Sequence, residues 1–258
     1  MNDTVMKGVR TLQSNFPLLK SAKDLFYYRV RKLLSIPHER DFQALRNLKP
    51  PSGRVLVDVG ANQGQSIESM SIYLPTARIV SFEANPNLAR KLQARYARTG
   101  RIAVVMRGLA DVRGTFPLYV PSYRGYEYDG LASLDKTAAA SWISEQTVFS
   151  FDPARLTIAK LECEISTLDD EKLAPWFIKV DVQGYEYNVL QGGMKTLREY
   201  EPVLLIESFR SDPRTVRLAD GLGYEEYSFD NGRLQKGPPR HSPNSFLITP
   251  GMAGILVG

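Results

Sequence analysis

Acidic residues stand at points where apolar runs give way to turns. Asp58-Val59-Gly60-Ala61-Asn62-Gln63-Gly64 follows one such run and leads into a helix-like segment. Gly60 permits a sharp turn, Gly64 permits close approach to the helix start, and Asn62 is small enough to cap that helix. Phe82-Glu83-Ala84-Asn85-Pro86 closes a second run, with Glu83 19 residues beyond Gly64. A carboxylate there can accept two hydrogen bonds from vicinal ribose hydroxyls. Further on, Lys179 and Asp181 alternate along a strand-like run and so share a face. A Lys–Asp pair beside a developing alkoxide could orient a hydroxyl or carry its proton. Glu207 ends the next apolar run, and Glu186 lies where it could cap a helix or touch substrate. His241, in His241-Ser242-Pro243-Asn244, is the imidazole available as a base. Asp181 and Glu207 could share a divalent cation, but no third strong ligand is evident, so a metal is not favoured.

The first loop reads G-x-x-x-G and not the G-x-G-x-x-G of dinucleotide sites, and its strand ends in an acid. An acid beside the turn would repel a pyrophosphate. It suits S-adenosylmethionine, which carries an ammonium and a sulfonium and no phosphate. Adenosylmethionine, NAD and FAD all carry ribose hydroxyls, so Glu83 by itself does not choose between them.

The elements that must hold these residues alternate. Strands are expected over 54–59, 77–82, 102–106, 176–182 and 203–207, with helices over 65–73, 86–98 and 185–200. Asn85 caps the second helix with Pro86 just inside it. This order predicts an α/β fold with a mostly parallel sheet and helices on both faces. Runs over 223–229 and 245–249, joined by the Gly/Pro-rich stretch 231–243, predict an antiparallel edge hairpin and seven strands in all. Between 114 and 167 the pattern loosens: a short strand over 115–120, a Tyr/Gly-rich stretch over 121–135 and a short helix over 138–148. Such an insertion, about 121–165, is expected to be a lid, and Tyr123, Tyr126 and Tyr128 could line an acceptor pocket within it.

Of the net charge of +5, the first 34 residues supply all: seven basic residues against two acids. The remainder is close to neutral, which argues against a nucleic-acid platform. Leu18, Leu25, Tyr28 and Leu33 recur at helical spacing, so 1–50 is expected to be a basic helical extension ahead of a main domain over 51–258, with Lys49-Pro50-Pro51-Ser52-Gly53 as the break. Weak contact with an anionic membrane and oligomer formation are both open to it. One cysteine excludes an internal disulfide, and no apolar run is long enough to span a bilayer or act as a signal h-region, so a cytoplasmic protein is expected.

The motifs Asp58–Gly64, Phe82–Pro86, Thr167-Leu168-Asp169-Asp170, Ile178-Lys-Val-Asp-Val-Gln-Gly-Tyr-Glu186, Val189-Leu-Gln-Gly192 and Pro202-Val-Leu-Leu-Ile-Glu207 occur in that order. Together they resemble the FkbM family of S-adenosylmethionine-dependent methyltransferases, over most of the chain. The resemblance implies a Rossmann-like class I methyltransferase fold and O-methylation of a sugar, glycan or natural-product-like small molecule. It implies that Asp58, Gly60, Asn62 and Gly64 line the methionine end, that Glu83 and Ala84 hold the ribose, and that Leu109 and Asp111 meet the adenine. Asp181 would face the same crevice, and Gln183, Glu186 and Asn244 the substrate. Gln183 stands where the family usually has glutamate, so a role that needs charge there is lost while a hydrogen-bonding role survives.

Two other classes compete with this reading. A methyltransferase-fold binding module without turnover would bind cofactor and methylate nothing. An NAD-dependent oxidoreductase would bind NADH, but the chain has neither G-x-G-x-x-G nor an evident Tyr-x-x-x-Lys pair.

Overall fold

A computed structural model describes residues 7, 8, 11 and 35–256. Of the expected helical extension over 1–50, the basic part over 1–34, and with it any membrane contact, falls almost wholly outside the described residues. The chain divides into two compact units: a main unit of 35–114 and 164–258, and a smaller one of 1–34 and 115–163.

The main unit is built on an eight-stranded sheet. Its strands are β1 (Val55–Val59), β2 (Ile79–Phe82), β3 (Ile102–Val105), β8 (Pro175–Val180), β9 (Val203–Glu207), β10 (Glu225–Asp230), β11 (Arg233–Lys236) and β12 (Asn244–Ile248). The order is β11-β10-β12-β9-β8-β1-β2-β3. From β3 to β9 all pairings are parallel, and β12 runs antiparallel to both β9 and β10. The expected seven strands become eight because Arg233–Lys236, read as part of a linker, pairs with β10 and forms the edge. The expected edge hairpin is also displaced inward, since β12 inserts between β9 and β10.

Helices α1 (Gln65–Tyr73), α2 (Pro86–Tyr96), α4 (Glu186–Gln191), α5 (Met194–Tyr200), α6 (Pro213–Gly221) and α7 (Pro250–Leu256) connect or follow the strands. The pleat sends alternate residues to opposite faces. Leu56, Phe177, Leu205 and Phe246 pack with Ile67 and Met70 of α1 and Leu92 of α2. Val57, Val59, Ile178, Val180 and Ile206 pack with Val189, Leu197 and Ala219 of α4 to α6. The expected single helix over 185–200 is two, broken at Gly192-Gly193. A Cβ on Gly192 would run into the Ala110 carbonyl, so this break lets the 108–111 loop lie against the helix.

The 3-10 helix Arg40–Asn47 belongs to the main unit, with Phe42, Leu45 and Leu48 buried in the core formed on the α1 side. The domain boundary therefore precedes it, at about 35, and not at the Pro50-Pro51 break. The His38 amide donates to the Ser69 hydroxyl of α1 at 2.8 Å, which fixes the start of this segment.

In the smaller unit, β5 (Gly114–Tyr123) turns at Arg124-Gly125, both at positive φ, into β6 (Tyr126–Glu127). The antiparallel pairing across this turn is that of a two-residue hairpin. Helix α3 (Lys136–Ser141) is capped by Asp135, and β7 (Leu156–Ser166) lies beside β5. In the main unit, the last residues of β7 pair with β4 (Gly108–Leu109). The long strand β7 replaces what the sequence reads as irregular insertion.

Candidate active site

The carboxyl ends of β1, β2, β8 and β9 converge, and the register aligns their polar residues. Asp58 sits between Ser81 of β2 and Lys179 of β8. All three are buried on one face. Ser81 Oγ donates to Asp58 Oδ2 at 2.8 Å, while Oδ1 is buried with no hydrogen-bond partner. Burial, with the nearby Asp181 charge, pushes the Asp58 carboxyl up to about 6, against the Ser81 hydroxyl, the Lys179 ammonium and the Ser66 hydroxyl, which pull it down. Gly60, at φ +91, brings the following turn against the end of β8; a Cβ there would strike the Asp181 carbonyl oxygen.

Glu83 is buried at the end of β2. Its Oε2 accepts from the Asn62 amide at 2.6 Å and its Oε1 from the Asn85 amide at 2.7 Å. The second acid therefore grips the first loop. Asn62 does not cap α1 as expected. Gly64 is the cap residue, in left-handed conformation, and Asn62 adopts φ +47 to aim its amide at Glu83. Asn85 does cap α2, accepting from the Asn87 amide. Gly108 packs so closely on Ala84 that a Cβ would lie 3.2 Å from the alanine methyl, which puts the 108–111 loop beside Glu83. Leu109 is buried in β4, and Asp111 is exposed with Oδ1 accepting from Asn188 of α4 at 2.9 Å.

Beyond Asp58 lies a second group. Lys179 Nζ donates to Asn244 Oδ1 at 3.2 Å and stands 3.7 Å from Asp181 Oδ2. Gln183, at φ +53, donates its amide to Asp181 Oδ1 at 3.0 Å and to Glu207 Oε2 at 3.2 Å. The glutamine thus bridges two carboxyl groups. A hydrogen bond with Asp181, reinforced by burial and the Asp181 charge, raises Glu207 to about 8. Burial opposes ionisation of Asp181, but the Lys179 ammonium and the hydrogen bonds from Glu207 and Gln183 outweigh it and hold this carboxyl below its usual range. The pair therefore carries one proton near neutral pH, and Glu207 holds it.

A family model described as the methyltransferase FkbM domain matches residues 58–227. The chain belongs to the FkbM methyltransferase family. A solved FkbM methyltransferase from Methylobacillus flagellatus shares its fold at TM-score 0.50 and 17% identity, over 81% of this chain and 48% of that one. An O-methyltransferase from Bacillus cereus aligns at TM-score 0.42 and 12% identity, over 96% of this chain and 100% of that one. The AMB antimetabolite synthetase AmbE of Pseudomonas aeruginosa is 27% identical over 239 residues, 80% of this chain. This chain spans only 11% of that synthetase.

Within this FkbM-family chain the remaining expected residues are distributed unevenly. Glu186 is buried and accepts from the Val182 and Gly184 amides, so it braces the Asp181–Gly184 turn. His241 is exposed in the turn before β12. Tyr123, Tyr126 and Tyr128 lie in the smaller unit and are buried with Ile143 and Val148 in a cluster of their own. The Tyr123 ring stacks on Phe151, and its hydroxyl accepts from the Asp152 amide at 2.9 Å. The Tyr/Gly-rich stretch that holds them, irregular in the sequence reading, is a packed hairpin. Among the described residues, no group of three or more His, Cys, Asp or Glu is arranged to hold a metal ion. No described helix is long and apolar enough to cross a membrane.

Sequence reading missed Ser81, Glu39 and Asp41. Ser81 is named only by strand register. Glu39 and Asp41 lie just ahead of the Phe42-Leu45-Leu48 spacing, an apolar stripe that could have tied the segment to the core.

Proposed function

We propose that the chain is an S-adenosylmethionine-dependent O-methyltransferase acting on a hydroxyl of a sugar, glycan or natural-product-like small molecule. The observation that carries the reading is the buried Asp58 oxygen without a partner, in the crevice that Glu83 closes. A buried carboxyl oxygen left unpaired costs free energy unless a ligand meets it. The cationic methionine end of S-adenosylmethionine fits that requirement, and glycine at position 60 lets the first loop lie directly on the end of β8 beside Asp181. Glu83 holds its two amides in a carboxylate with about four acceptor sites, so ribose hydroxyls can be accepted alongside them. Leu109 and Asp111 are near enough to Ala84, through Gly108, to bound the adenine.

When bound, this cofactor supplies an electrophilic methyl group. The chain's own work is alignment and proton handling. Glu207, once it gives up the proton it shares with Asp181, is suited to take the hydroxyl proton of an acceptor, with Lys179 holding Asp181 in its ionised form. Two carboxyl groups and an ammonium favour an oxygen nucleophile. Relation to a protein named as an antimetabolite synthetase supports a natural-product-like acceptor beside a sugar.

Calorimetric titration with S-adenosylhomocysteine tests the cofactor assignment. Wild type should bind saturably, and Glu83→Gln should bind about tenfold or more weakly, as loss of a charged hydrogen bond of about 1.5–3 kcal/mol requires. A well-folded wild type that does not bind sinks the reading and returns attention to dinucleotides.

A further inference from the structure

The family match begins at Asp58, yet two carboxylates from the preceding segment reach the end of the sheet. Asn244 is fully buried. Its Nδ2 donates to Glu39 Oε2 at 2.9 Å and to Asp41 Oδ2 at 3.0 Å. Its Oδ1 accepts from Lys179 Nζ at 3.2 Å. Asp41, 3% exposed, also accepts from Ser242 Oγ at 2.5 Å, and that same hydroxyl accepts from the Asn244 backbone amide at 3.0 Å.

We propose that Glu39 and Asp41 are positioning residues that fix the orientation of the Asn244 amide and, through it, the ammonium of Lys179. An amide side chain has a donor end and an acceptor end, and nothing in its shape prefers one over the other. Here the partners decide. Two carboxylates accept only, so they take the NH2 end. An ammonium donates only, so it takes the oxygen. Turning the amide over would set its oxygen against two carboxylates and its NH2 against Lys179, losing three hydrogen bonds in a buried place. Lys179 is 1% exposed, and its ammonium can be held there only by acceptors. Asn244 supplies one and Asp181 the other. The four-carbon stem of a lysine is otherwise free to swing. The consequence for methyl transfer rests on the function proposed above; the anchoring of Lys179 does not.

The test reads the ammonium itself, in the full chain without ligand. A buried, hydrogen-bonded lysine NH3+ exchanges slowly and gives a sharp proton–nitrogen correlation, whereas exposed ones are lost to exchange. The Lys179 signal, identified by its absence in Lys179→Met, should vanish in the double variant Glu39→Met/Asp41→Leu, which removes both acceptors, while the backbone amide spectrum stays folded. The conservative pair Glu39→Gln/Asp41→Asn keeps an oxygen at each position that can still take the Asn244 NH2, and should retain the signal. An unchanged signal in folded Glu39→Met/Asp41→Leu overturns the proposal. If that pair unfolds, Glu39→Met alone decides: a shifted or broadened Lys179 signal supports the proposal and an unchanged one overturns it. S-adenosylhomocysteine titration of wild type, run in parallel, separates this result from the cofactor assignment, since absent binding would sink that assignment and leave the lysine measurement standing.

Discussion

A carboxyl group that titrates at about 6 is mostly ionised at pH 7 and mostly protonated at pH 5, and Asp58 is such a group. A cationic ligand bound against it must first displace that proton at the lower pH. S-adenosylhomocysteine affinity is therefore expected to fall by about tenfold from pH 7 to pH 5, close to one decade per unit below the pKa. In Asp58→Asn, affinity should be lower throughout and this slope should disappear; a slope that persists would place the titrating group elsewhere. The Asp181–Glu207 pair gives the complementary signature. With Glu207 raised to about 8, the base form grows as pH rises, so the methylation rate of any accepted hydroxyl should climb through about pH 8. Glu207→Gln should abolish that limb. Gln183→Glu puts a third carboxylate between the two and should move the limb to higher pH, because each like charge makes the remaining proton harder to remove. Both short motifs that carry Asp58 and Glu83 were legible in the sequence, since a strand-end acid beside a glycine turn is a local pattern. The protonation of Asp58 was not, because it is set by burial within the assembled sheet and by Ser81 and Lys179 from strands 23 residues or more away.

Two glycines show what the elements demand of the chain. Gly60 is held at φ +91 against the Asp181 carbonyl. Gly60→Ala should cost about 1–3 kcal/mol for the left-handed backbone, and the backbone clash adds to it. Gly192 has ordinary negative φ, so Gly192→Ala isolates the second effect: its methyl would strike Ala110, displace the 108–111 loop and weaken S-adenosylhomocysteine binding along with stability. Gly221, in helix α6 with open space around its Cβ position, is the control, and alanine there should stabilise by roughly 0.5–1 kcal/mol. Thermal melts and titrations of the three variants would check the order. The parallel strands were readable because each is a short apolar run closed by turn residues. Helix α6 was not. Strand β7 carries a local signal only in its second half, where exposed Lys160, Glu162 and Glu164 alternate with Leu161, Cys163 and Ile165 as a half-buried strand requires. The inward position of β12 depends on which neighbour it pairs with, and nothing in the run 244–248 encodes that choice locally. For the same reason the contribution of Glu39 and Asp41 appears only when β12 lies beside β9.

Across the main unit, two raised carboxyl groups make stability depend on pH in an unusual direction. Asp58 goes from 3.8 to about 6 and Glu207 from 4.5 to about 8 on folding. Between about pH 4 and pH 8 the native state therefore binds more protons than the unfolded chain, and stability must fall as pH rises. Carboxylates lowered by arginine or lysine partners work the other way, but only near and below their ordinary range: Asp170, Asp212 and Glu225 lie in exposed pairs that contribute little, and Asp181 is held down beside Lys179. The melting temperature of the main unit is thus expected to peak near pH 4 and decline towards pH 8. Asp58→Asn with Glu207→Gln should flatten that decline; a decline of the same slope in the double variant would show that other groups set it. Ligand offsets the Asp58 part of this trend, because a cation beside Asp58 favours the ionised form that folding alone disfavours. At a ligand concentration one hundred times the pH 7 dissociation constant, stabilisation is about 2.7 kcal/mol. The tenfold weaker binding expected at pH 5 reduces this to about 1.4 kcal/mol, or roughly half the shift in melting temperature. A shift that is equal at the two pH values would break the link between the buried acid and the cofactor.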